Sequence, residues 1–194
     1  MALLTDLLSA NTTDIAANTT AAASAGGMTL LASASPSNVT TTSLTLPSGY
    51  YSYLLIYDRF IPTANANFHT LIRGASSPTW RFAGRSSYHQ GTSHYFSNGT
   101  SSTTGMTLNV GGTIASSNTD SGYTGWSGTM QIYGAKESGY TYATYQGAFV
   151  NDSGRFLSLS GGGRSNTSQV DTTVDVNFNT DTLSGSVKLY GIKQ

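Results

Sequence analysis

The sequence predicts a mainly β protein: an antiparallel β-sandwich or jelly-roll head preceded by a short N-terminal α-helical stalk. Three observations lead there. Residues 1–26 carry a heptad, and residues 27–194 fall into short runs of period two separated by Gly, Asn and Ser. The composition, with 22 Gly, 12 Tyr and abundant Ser and Thr, suits many strands, tight turns and a hydroxyl-covered surface. The chain of 194 residues therefore divides into a helical, anchoring segment (1–26) and one head of ordinary domain size (27–194).

The stalk comes first. Leu8-Ser9-Ala10-Asn11-Thr12 returns seven residues on as Ile15-Ala16-Ala17-Asn18-Thr19. With Leu8 at position a, Met1, Ile15 and Ala22 share that position, and Leu4, Asn11, Asn18 and Ala25 fall at d. Two core Asn weaken apolar packing but fix register and strand number. The expected trimer core is Leu4, Leu8, Asn11, Ile15, Asn18 and Ala22. A helix of about 22 residues rises about 33 Å, a short stalk rather than a long shaft. The same residues also fit a lone amphipathic helix docked on its own domain. The hydrophobic-x-x-Asn-Thr heptad resembles the one that recurs in stalks of trimeric autotransporter adhesins and phage fibres. That resemblance implies three strands and an anion held by the inward amides of Asn11 and Asn18; no other cofactor is expected.

The head follows. Strands are predicted over 29–34, 50–61, 68–73, 140–150, 155–159 and 170–178; the run 50–61 is apolar on both faces and so is expected at the centre of a sheet. Two more come from an internal echo. Residues 127–136 reappear 57 positions later as 184–193, with five of ten positions identical. In each copy Met130 and Ile132, or Val187 and Leu189, face one side; Gln131 and Tyr133, or Lys188 and Tyr190, face the other. The echo fits either a duplicated half-domain or two equivalent strands of a pseudo-symmetric sandwich.

Gly161 to Arg164, read as a turn, then an alternating strand and a terminal strand ending at Ile192, are similar to C-terminal modules of bacteriophage fibre, spike and decoration proteins. The resemblance implies a structural, non-enzymatic virion protein. It would be made in the host cytoplasm, carried on the virion surface and assembled as a homotrimer. Leu3 and Leu7, outside the a/d seam, would dock on a capsid or tail protein of the same particle. The head would serve host-surface adhesion or, alternatively, capsid decoration.

Charge and chemistry narrow the function classes. Net charge is zero with 9% charged residues, so there is no field to hold nucleic acid. The absence of Cys removes disulfides and thiolate chemistry. The start of the chain has no basic n-region and no apolar run long enough to signal export or enter a membrane. Asp171 and Asp175 are read as a solvated strand edge, and Glu137 is the one Glu, so the carboxylate pair of a glycan-degrading enzyme is not expected. His69, His89 and His94 are read as surface or interface residues, and no metal site is expected. A glycan platform is expected from Trp80, Tyr88, Tyr95 and Tyr123, in loop-rich stretches, with Tyr140, Tyr142 and Tyr145 clustered on one strand. The same residue types serve strand cores and trimer interfaces, and Trp126 reads as a packing anchor.

Overall fold

The computed structural model of the protein describes residues 27–88, 94–102, 105–109, 112–116, 125–179 and 181–193; the stalk heptad, with Leu3 and Leu7, lies outside them. Among the described residues there is no helix. Twelve strands follow one another: β1 (Met28–Ala34), β2 (Thr41–Thr45), β3 (Ser52–Pro62), β4 (Phe68–Arg73), β5 (Trp80–Tyr88), β6 (His94–Ser102), β7 (Met106–Thr107), β8 (Trp126–Tyr133), β9 (Tyr142–Val150), β10 (Phe156–Ser165), β11 (Thr173–Phe178) and β12 (Leu183–Ile192).

They form two antiparallel sheets, ordered β1-β12-β3-β8-β9-β10-β5-β6 and β2-β11-β4-β7. Without the hairpins β5–β6 and β9–β10, the remaining strands alternate as β1-β12-β3-β8 over β2-β11-β4-β7. The hairpins enter from separate places in the chain and meet through β10 and β5, doubling the width of the large sheet.

Aromatic residues join the sheets face to face. Phe68 of the small sheet packs on Tyr57 and Trp126 of the large one, at ring-centroid distances of 5.6 and 5.1 Å. Polar tips are satisfied across the gap: Trp80 Nε1 donates to the Ile72 carbonyl and Trp126 Nε1 to the Leu108 carbonyl, both at 3.2 Å. The Tyr57 hydroxyl meets Thr70 Oγ1 at 3.1 Å, and burial holds the Tyr57 phenol well above its ordinary range.

β3 is an interior strand, as its apolar faces predict. The two echoed segments become β8 and β12, which flank β3 and run antiparallel to it. Met130 sits opposite Leu55, and its counterpart Val187 sits opposite Tyr57, two residues along. The echo thus marks two like positions beside one strand, where an inward apolar pair must fit the same neighbour.

Two expectations are corrected. Gly161 to Arg164 is not a turn but the second half of β10, paired on one side with β9 and on the other with β5. The glycines are there for close approach. A Cβ on Gly161 would stand 2.5 Å from both the Ala83 carbonyl oxygen and the Tyr145 ring, and one on Gly163 would stand 2.8 Å from Met106 Sδ. Gly161→Ala is expected to destabilise by about 1–3 kcal/mol, because the methyl must displace backbone as well as ring. Urea denaturation checks this, and an unchanged midpoint would contradict the close packing.

The second correction concerns the acidic pair. Asp171 and Asp175 are buried, not a solvated edge. Asp175 takes a hydrogen bond from Ser43 Oγ and an ion pair from Arg73 Nε at 2.6 Å. Asp171 is bonded by Thr141 Oγ1 and Gln169 Nε2, while its own carbonyl receives Lys136 Nζ at 2.7 Å. Strand 170–178 accordingly begins later, at Thr173, leaving Val170 exposed.

Candidate functional site: the outer face of the large sheet

Alternation sends Met130, Ile132, Ala143, Tyr145, Leu157 and Leu159 to the core. Their neighbours must then face outward. The register aligns these outward residues in rows. One row runs Ile56, Thr129, Gln146, Ser160 across β3, β8, β9 and β10. The next runs Leu54, Gln131, Thr144, Gly162, Ala83 into β5. Gly162 and Ala83 place little bulk in that row. Leu54, Thr129, Gln131, Thr144, Gln146 and Ser160 line a groove of about 480 Å³.

A third row, Tyr133, Tyr142, Arg164, Arg81, closes one end of the groove. Tyr142 is 49% exposed, and Tyr140, just before β9, is 43% exposed with the Arg164 guanidinium carbon 4.5 Å from its ring centre. Tyr140 is held in place from below. The Asp171 cluster ties the segment around it to the strand entering β11: Lys136 and Thr141 bond Asp171, and the Asp171 amide donates to the Ala135 carbonyl at 2.7 Å. Burial raises the Asp171 carboxyl, against hydrogen bonds from Thr141 and Gln169 and the nearby Lys136 charge, which lower it.

The arrangement offers amides and hydroxyls in a flat field, beside aromatic faces and a cationic rim. Such a face can bind hydroxyl-rich, ring-shaped molecules through many shared hydrogen bonds and ring contacts. The described residues that line the groove include no His, Asp or Glu. Among the described residues no three His, Asp or Glu side chains gather as a metal-holding group.

The expected glycan residues are distributed differently. Trp80 is removed from that role: it is fully buried, with its indole against the small sheet. Tyr88 ends β5 and Tyr95 lies on β6 opposite Ser86, so both belong to strands rather than loops. Tyr123 lies outside the described residues, as do the trimer-core residues Leu4, Leu8, Asn11, Ile15, Asn18 and Ala22. Trp126 is the packing anchor expected of it. Of the three clustered tyrosines, Tyr145 faces inward, its hydroxyl 3.4 Å from the Thr107 carbonyl, and Tyr142 faces out. His69 is buried rather than superficial. Gln131, Gln146, Thr129, Thr144 and Ser160 do not stand out in the sequence. Their signal is the polar half of each alternating strand, which shows a site only once three strands are set in register.

Compared with known protein families and curated proteins, the chain matches no family model and no curated protein.

Proposed function

We propose that this protein is a non-enzymatic structural component of a phage virion, a homotrimeric fibre or spike. Residues 1–26 anchor it to the particle, and the outer face of its large sheet adheres to host-surface glycan. The observation that carries adhesion is the groove itself: rows of Thr, Gln and Ser hydroxyls and amides, ended by Tyr133, Tyr142, Tyr140 and Arg164. Sugar rings present C–H faces to aromatics and hydroxyls to amides, which is the pairing this surface offers.

The order β1-β12-β3-β8 over β2-β11-β4-β7 supports the jelly-roll reading, a plan shared by viral capsid and lectin domains. It favours a particle protein and leaves the job to the site. The heptad at 1–26, with Asn11 and Asn18 at core positions, supports a three-stranded stalk and an anion between its amides. The same strand order is equally consistent with the second reading, a capsid decoration protein whose head coats the shell.

Binding of the full-length protein to a panel of immobilised bacterial surface polysaccharides tests the adhesive reading. At least one polysaccharide is expected to bind, and Tyr142→Ala is expected to weaken it about tenfold, the loss of one ring contact worth about 1.4 kcal/mol. Binding unaffected by Tyr142→Ala and Gln146→Ala would move recognition away from this face. No binding across a broad panel would favour decoration.

A further inference from the structure

The outer face of the large sheet changes character toward its first strand. Where β8 to β10 carry Thr, Gln and Ser, the outward residues at the Met28 end of β1 and the Ile192 end of β12 are apolar, and the polar pair Ser33 and Lys188 bounds them further along. Met28 stands opposite Ile192, and Leu30 stands opposite Tyr190, which in turn lies beside Leu54. Met28 is 55% exposed and Leu30 52% exposed. This is no leakage of the core, because Leu31, Ala32 and Ala34 of the same strand already pack inward. A bulge between Leu30 and Ala32 allows both sets on one short strand. β1 is also the edge of the sheet, pairing only with β12 among the described strands. An apolar, open edge is a surface that proteins ordinarily cover.

We propose that Met28, Leu30, Tyr190 and Ile192 pack against the same corner of neighbouring copies, so that the heads close around the axis set by residues 1–26. This inference rests on the trimer reading given above. The place where the chain enters supports it. Only Gly27 separates the segment 1–26 from Met28, so a stalk on a threefold axis delivers three copies of Met28 and Leu30 beside that axis. The chain's own N-terminal segment is a poorer cover. Residues 19–25, nearest the patch in sequence, are Thr, Ala and Ser, whereas in the helix the heptad implies Ile15 and Leu8 would fall about 16 and 27 Å back from Gly26. The patch on β1 and β12 is only about 5 Å across from strand to strand.

The chain has no Cys, so a single Leu30→Cys in the full-length protein reports on the patch directly. Thr144→Cys, on the polar groove, is the exposed control. Leu30→Cys is expected to react with a maleimide at least about tenfold more slowly than Thr144→Cys and, on mild oxidation, to bridge roughly two-thirds of chains into covalent dimers, one pair per trimer. Equal reaction rates overturn the proposal. Protection without bridging between chains also overturns it and assigns the patch to the chain's own N-terminus. The solution mass of the same samples separates the two readings. A trimer with a reactive Leu30→Cys leaves the stalk standing and sinks the head interface. Bridged chains of dimer mass keep the interface and sink the threefold stalk.

Discussion

Trp126→Ala is expected to lower the unfolding free energy by about 3–5 kcal/mol, a large loss for the truncation of one side chain. The indole is fully buried, lies edge-on to Tyr57 at 5.2 Å and tilts against Phe68 at 5.1 Å. It sits on a seat made for it. Gly128 and Gly147 face each other across β8 and β9, and a Cβ on either would come within 2.8 Å of the indole ring. Removing the ring leaves a cavity bounded by backbone, which cannot collapse as flexible side chains can, so the cost falls at the upper end of the range. It also leaves the Leu108 carbonyl without its indole donor. With total stability of about 5–15 kcal/mol for ordinary domains, the variant would be part-unfolded at moderate urea. The denaturation midpoint measures this. Trp126→Phe should recover most of the packing and retain the loss of the hydrogen bond, about 1–3 kcal/mol. A loss below about 1 kcal/mol for Trp126→Ala would mean that the two sheets do not meet at this residue.

The strands that alternation alone reveals are those whose inward and outward residues differ in polarity along their whole length. β8, β11 and β12 are of that kind, and β3 declares itself by being apolar on both faces. β2 is Thr and Ser apart from Leu44, so nothing distinguishes it from a loop. β5 starts as a clean alternation, with Trp80 and Phe82 inward, then meets Gly84 at the next inward position and loses its period. β6 contains Asn98-Gly99, a turn signal that the ladder with β5 overrides. The run of three glycines in β10 misleads in the same way: it marks a place where Tyr145 and Met106 need the room that side chains would take. Sheet neighbours decide these strands, and neighbours are the one thing a single sequence does not display.

The candidate site is less legible than the fold for a related reason. Aromatic residues are the visible markers, but Trp80 and Tyr145 serve the core while Tyr142 and Tyr140 serve the surface. Only strand phase separates Tyr142 from Tyr145, three residues apart on β9. The amide and hydroxyl rows are spread over residues 129 to 160 and become a groove only through the pairing of β8, β9 and β10.

Acid is expected to weaken the head through His69. Burial lowers its imidazole pKa from 6.5 to about 4, so the folded protein keeps it neutral where the unfolded chain takes up a proton. Between those values the unfolded state binds more protons, and stability falls as pH falls. The contribution is intact above pH 6.5 and fully lost below about pH 4; at about 1.4 kcal/mol per unit the loss is about 3 kcal/mol. His69 lies between Asn177 of β11 and Thr107 of β7, with Asp175 nearby but already paired to Arg73. Asp171 works against this slope. Its carboxyl is raised above 3.8, so just above that value the folded state gains a proton first and acid strengthens it. The wild type should therefore lose stability steadily from pH 6.5 and level off toward pH 4. His69→Gln, compared with it by urea denaturation across this range, should lack the His69 share of the slope, while any share from His89 and His94 cancels in the difference. Parallel curves for the two proteins would mean that His69 takes up its proton in the folded state as readily as in the unfolded chain, and would put water at its ring.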